Sequence, residues 1–261
     1  MHPALLDHCT SVCIPLILVA ETEFSLWLDR QDEQRRQWLT TTGFSAKPGS
    51  YGLIPGADGQ LAAVVAGIKS ADDLWALGGL PGSLPPGDYM LEATLAPRQQ
   101  DQLTLGWVLG AYQFKRYKDA PPIRTRLALA TTCDAGRIAR MADAVTLVRD
   151  LINTPAEDLM PEQLAAASLT LAEEFAATHM QIVGDALLEQ NFPLIHAVGR
   201  ASVHPPRLLD LRWGDPAHPK VTLIGKGVCF DTGGLDLKPS SAMRLMKKDM
   251  GGAATALGLA R

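Results

Sequence analysis

Short apolar runs alternate along the chain with longer stretches in which apolar positions recur at helical spacing. The runs bounded by turn residues predict strands over residues 13–20, 51–55, 61–68 and 89–93, with a further strand in RTRLALATT, 124–132. Helices are predicted over 24–40 and 99–117, the second following the Pro/Gly-rich loop GGLPGSLPPGD at 78–88. A long helix is predicted over 133–153, because Ile138, Met141, Ala142, Val145 and Val148 fall on one face. Asn153-Thr154-Pro155 ends it, since a residue before proline is driven out of the α region.

The pattern then restarts. A helix over 161–177 opens on Pro161, and strands are predicted at 181–183, 196–198, 207–213 and 221–224. Strands alternating with helices predict an α/β fold with a mostly parallel, helix-covered sheet in each half. The domain boundary is placed near 150: an N-terminal α/β domain with its linker helix over 1–150, and a second α/β domain over 151–261. The last twelve residues, MGGAATALGLAR, read as a helix without a stop signal, so the second domain is expected to be incomplete.

Composition adds exclusions. With 261 residues, 47% hydrophobic and 20% charged, the chain is globular material. A net charge of −4 leaves no basic excess for a general nucleic-acid binder. No apolar run approaches the roughly 20 residues of a membrane helix, so no membrane partner is expected. The N-terminal MHPALLDHCTSVCIPLILVAE lacks a basic flank and reads as a buried strand, not a signal peptide. Cys9, Cys13, Cys133 and Cys229 are irregularly spaced, and four reduced thiols are expected.

The chemistry concentrates in GKGVCFDTGGLDLK, residues 225–238, with two lysines, two aspartates and four glycines directly after the apolar 221–224 run. Charges this dense at a strand exit cost desolvation energy unless paired or bound to a metal. Lys226, Asp231, Lys238 and the later Asp249 provide two cations and two anions that the loops can gather into one pocket. Asp231 and Asp249 offer hard oxygen ligands for a divalent metal. A lysine joins them only as the neutral amine, and one that remains charged can stabilise an oxyanion. A solvated loop with a surface ion pair is the plainer alternative. Asp231-Thr232-Gly233 also looks like half of an aspartic protease, but no second D-T-G occurs in the sequence. A P-loop pattern does not fit around Lys226.

The longer stretch GKGVCFDTGGLDLKPSSAMRLMKKDMGGAA, 225–254, resembles the signature of the leucyl aminopeptidases, also called cytosol aminopeptidases. VRDLINTP, 148–155, and IHAVGRAS, 195–202, resemble further parts of the same family. The resemblance implies a cytoplasmic, homohexameric exopeptidase that removes N-terminal residues from peptides with two divalent ions, manganese or zinc, and favours alkaline pH. It makes Lys226, Asp231 and Asp249 metal ligands, and Lys238 a charged catalytic group that polarises the scissile carbonyl. Met246 would line the pocket for the substrate's first side chain. The family's second metal signature, N-T-D-A-E-G-R, does not occur in residues 1–261, so this chain alone is expected to be inactive. The family's N-terminal domain resembles the macro-domain architecture, which makes ADP-ribose binding through 1–140 an alternative function. A non-catalytic assembly or binding module of the same fold is another.

Smaller signals have structural explanations. His196 in LIHAV reads as a core histidine, His204 beside Pro205 and Pro206 as a loop residue, and Cys229 between Val228 and Phe230 as a buried thiol. GADGQ, 56–60, reads as a turn, and DRQDEQRRQ, 29–37, as a solvated helix face.

Overall fold

The computed structural model describes residues 2–9 and 12–261. Met1, Thr10 and Ser11, which belong to the N-terminal stretch read as a strand, lie outside the described residues. The chain divides into two compact units, Met1–Asp143 and Ala144–Arg261.

In the first unit, β1 (Leu5–Leu6), β2 (Ile14–Ala20), β3 (Tyr51–Pro55), β4 (Leu61–Ile68), β5 (Gly87–Glu92) and β6 (Thr125–Ala128) form one sheet in the order β1-β6-β5-β2-β4-β3. All pairings are parallel except the antiparallel β3–β4 edge. This mainly parallel sheet meets the α/β expectation. Helices α1 (Phe24–Asp29), α2 (Glu33–Thr41) and α3 (Pro97–Gly110) accompany it. Val19, Leu39, Ile54, Ala63 and Val65 are packed into one buried cluster, as the apolar strand positions require.

Two predicted helices are shorter than their patterns. The 24–40 helix is broken, because the Asp32 carboxylate accepts from the Arg35 amide at 2.8 Å and caps a new helix. The acid read as a solvated face is therefore a start signal. The 99–117 helix begins at Pro97 and stops at Gly110, whose backbone lies against the Gly78 carbonyl. Cys9 and Cys13 form a disulfide, against the expectation of four reduced thiols. Their Cα atoms stand 6.1 Å apart, within reach of the bond. Cys133 and Cys229 are free.

Helix α4 (Ala135–Asn153) runs from the first unit into the second. The second unit continues with α5 (Pro161–Glu174), β7 (Thr178–Val183), α6 (Ala186–Glu189), α7 (Pro193–Gly199), β8 (Arg207–Arg212), α8 (Ser240–Met243) and α9 (Gly251–Ala260). A 3-10 turn, Met246–Met250, leads into α9. The buried cluster joins Leu151 of α4, Leu164 and Leu171 of α5, and Ala254 and Leu257 of α9 to Cys229 and Met250.

Three expectations change here. The one strand pairing of this unit among the described residues, β7–β8, is antiparallel, where alternation predicted parallel strands. Residues 196–198 are helical, because Pro193 sits in the first turn of a helix that holds them. Residues 221–224 form no strand: Val221 and Ile224 are 84% and 92% exposed and pair with no strand among the described residues. Apolar sequence alone does not make a strand without a partner to complete its backbone hydrogen bonds.

Candidate metal centre

The loop 225–238 has little regular structure, and a few contacts shape it. Gly225 lies directly on the start of α9: a Cβ there would stand 2.5 Å from the Ala253 Cα and 2.5 Å from the Gly252 carbonyl oxygen. That approach lets the Ala253 amide donate to the Lys226 carbonyl at 2.8 Å. Lys226 is thereby held beside the 3-10 turn, where its ammonium forms an ion pair with the Asp249 carboxylate. Three residues on, Cys229 is 5% exposed and pins the loop into the apolar core.

Beyond Cys229 the loop turns back on itself. Gly233 has φ +90°, and a Cβ there would strike the Asp236 carbonyl oxygen at 2.1 Å. The Lys238 amide closes the turn by donating to the Thr232 carbonyl at 3.0 Å. Asp231 faces into it: one carboxylate oxygen accepts from the Gly233 amide and the other from Lys238 Nζ, both at 2.8 Å. The Lys238 ammonium, then the Gly233 amide, hold the Asp231 carboxyl below the usual carboxylate value, and the Lys226 charge acts in the same direction. Lys238 Nζ also lies 3.3 Å from the Met246 sulfur, and Met246 is buried.

The structure thus places the five sequence-predicted residues on one loop and one turn. Lys226 meets Asp249, and Lys238 meets both Asp231 and Met246. The four charges form two ion pairs, and the Lys226 charge also favours the ionised Asp231. Two carboxylates and one amine suit a hard divalent cation, the amine only when neutral. The set is short for two ions: among the described residues no group of three or more His, Cys, Asp or Glu side chains is arranged to hold a metal.

His196 and His204 have other contacts. His196 Nε2 pairs with Asp185 at 3.0 Å, and the His204 amide donates to the Ser202 hydroxyl. Ser168 and His179 sit 2.8 Å apart, and the fully buried Ser168 hydroxyl is also 2.9 Å from the Ala165 carbonyl, so this pair reads as a structural hydrogen bond that ties α5 to β7. Burial pushes the Cys229 thiol up to about 11, which agrees with a structural thiol. Sequence reasoning missed the Ala253 amide and Lys247, whose ammonium donates to the Asn153 carbonyl at 2.6 Å. Gly252, where a Cβ would stand 2.9 Å from the Lys226 amide nitrogen, is the signal that could have found the first.

Comparison with known proteins gives the family of both units. Residues 146–261 match the cytosol aminopeptidase family, catalytic domain, and residues 14–130 match the M17 aminopeptidase N-terminal domain. A probable cytosol aminopeptidase of Chlamydia muridarum is 47% identical over 120 residues, covering 45% of this chain and 24% of the relative. The crystal structure of cytosol aminopeptidase from Coxiella burnetii superposes with a TM-score of 0.90 at 43% identity, covering 98% of this chain and 56% of that one. The bottromycin maturation enzyme BotP in complex with Mn superposes at 0.75 with 28% identity, covering 96% of this chain and 56% of that one. The chain therefore spans little more than half the length of these solved relatives. Both of its units match domains of one family, and the chain belongs to the cytosol aminopeptidases.

Proposed function

We propose that this chain forms part of a metal-dependent aminopeptidase that releases N-terminal residues from peptides. The observation that carries the reading is the two ion pairs, Lys226–Asp249 and Lys238–Asp231, formed by one loop and the turn that follows it, with Met246 against Lys238. Asp231, Asp249 and the neutral amine of Lys226 would be ligands, Asp231 shared between two divalent ions. Manganese is supported by the BotP complex, and zinc suits the same donors. When bound, such ions polarise a carbonyl and lower the pKa of a coordinated water.

The remaining residues orient and stabilise. The Lys238 side chain donates to the scissile carbonyl oxygen as negative charge develops there. Asp231 directs that ammonium through its 2.8 Å contact. Met246 offers an apolar, adaptable wall to the substrate's first side chain. A substrate amine binds in its neutral form, which favours alkaline pH. The cytosolic names of the relatives support a cytoplasmic enzyme, and no described helix is long and apolar enough to cross a membrane. A homohexamer rests on the family resemblance.

Residues 1–261 supply too few carboxylates for two ions, so they alone should bind Mn²⁺ weakly and leave Leu-p-nitroanilide intact. A chain that also carries N-T-D-A-E-G-R should cleave it, and Lys238→Ala should abolish turnover with metal content preserved. Normal cleavage by that variant would remove Lys238 from the mechanism.

A further inference from the structure

We propose that Lys247 is a positioning residue that fixes the turn presenting Asp249 and Met246, by seating its ammonium on the C-terminal end of helix α4. The inference builds on the metal-centre reading above. Met246–Met250 is a 3-10 turn with three residues per revolution, so residues 246 and 249 share one face and residues 247 and 250 the next. The first face serves the site: the Met246 sulfur touches Lys238, and Asp249 pairs with Lys226. The second face is the support. Met250 is fully buried in the cluster that holds Leu151 and Leu159, and Lys247 Nζ donates to the Asn153 carbonyl at 2.6 Å.

The acceptor explains why a cation belongs there. Asn153 is the last residue of a 19-residue helix, whose carbonyl end is the negative pole of its dipole. Pro155 has no amide to offer that end, and the Thr154 amide and hydroxyl both turn back to the Asp150 carbonyl, at 3.0 and 2.7 Å. The ammonium arrives from 94 residues away, so N-T-P and K-K-D-M are two halves of one device. Lys247 acts through the turn, which in turn sets the Ala253 amide on the Lys226 carbonyl. Lys248 next to it is exposed and provides a control of equal charge.

The test compares Lys247→Met, Lys247→Arg and Lys248→Met with the unaltered chain. Hydrogen exchange of the Ala253 amide needs no metal and reads the turn directly. Lys247→Met should speed it about tenfold, the factor one ordinary charge-assisted hydrogen bond supplies, while Lys247→Arg and Lys248→Met stay near the original rate. Mn²⁺ affinity, read by the EPR signal of free Mn²⁺, should weaken about tenfold in Lys247→Met alone. Arginine rescue separates positioning from packing. Should Lys247→Met fail to fold, Lys247→Gln keeps an uncharged N–H donor on a side chain one bond shorter, and exchange faster than the original but within about tenfold of it is expected. Unchanged Ala253 exchange in the folded Lys247 variant, or equal acceleration in Lys248→Met, overturns the proposal. Asp249→Asn tells the two readings apart: if it leaves Mn²⁺ affinity intact the metal centre fails, while the exchange result still decides the role of Lys247.

Discussion

Gly225 and Gly227 flank Lys226, yet the two should respond oppositely to alanine. At Gly225 the new Cβ would lie 2.5 Å from the Ala253 Cα and the Gly252 carbonyl oxygen, backbone atoms that cannot rotate aside. Carbon contacts settle near about 3.5–4 Å, so the segment has to retreat by about 1 Å. The retreat opens the 2.8 Å bond from the Ala253 amide to the Lys226 carbonyl and draws Lys226 away from Asp249. Overpacking costs about 1–3 kcal/mol and the lost bond about 1 kcal/mol, so Gly225→Ala should destabilise by about 2–4 kcal/mol. At Gly227 the Cβ would meet Ala253 Cβ at 3.4 Å and Leu164 Cδ2 at 3.5 Å, which is ordinary contact. Its φ is not left-handed, and restricting the unfolded chain there is worth up to about 1 kcal/mol, so Gly227→Ala should be neutral or slightly stabilising. Urea unfolding followed by far-UV circular dichroism measures both, and hydrogen exchange over residues 144–261 assigns the loss to this unit. Equal midpoints for the two variants, or a larger loss at Gly227, would refute the close-approach argument.

The cysteines give two further tests. Burial raises the Cys229 thiol from 9.0 to about 11, so native protein at pH 8 should resist iodoacetamide at Cys229 until urea exposes it. The folded state holds this proton more tightly than the unfolded one. The associated stability is therefore whole below about pH 9 and lost as pH rises through about 11, and Cys229→Ala should flatten that alkaline fall in the urea midpoint. Labelling as fast at Cys229 as at the half-buried Cys133 would contradict the burial argument. Mass spectrometry of unreduced, urea-unfolded chain should find two alkylated cysteines, and reduced chain four, because Cys9 and Cys13 are joined. Opening so short a loop should cost about 2 kcal/mol on a chain-entropy estimate, and an unmoved urea midpoint under reductant would refute that contribution.

The elements that were legible are those whose pattern is decided locally. Residues 51–55 and 61–68 match β3 and β4, and the apolar stripe from Ile138 to Val148 lies in α4. Where a single residue sets a boundary, the pattern misled. Asp32 looks like one more charge in DRQDEQRRQ, but its carboxylate caps α2. LIHAV looks like a strand until Pro193 is given its weight as a helix opener, and His196 then reaches Asp185. Residues 221–224 fail for another reason: their apolarity is real, but a strand exists only where a neighbour completes its ladder.

The site divides along the same physical line. Glycines and charges that would be costly elsewhere mark themselves in sequence, so 225–238 stood out, and Gly225 and Gly233 carry geometric demands no other residue meets. What holds those residues in place is silent. The Ala253 amide, the Lys238 amide and the Lys247 ammonium end on the carbonyls of Lys226, Thr232 and Asn153. Every residue owns a carbonyl, so no residue type announces an acceptor. The donors are equally plain, two amides and one lysine beside another. A substitution at Asn153 would leave its carbonyl in place and the anchor intact, whereas one at Lys247 removes it. The support of such a centre therefore has to be sought from the donor side, by asking of each part-buried cation which main-chain oxygen it serves.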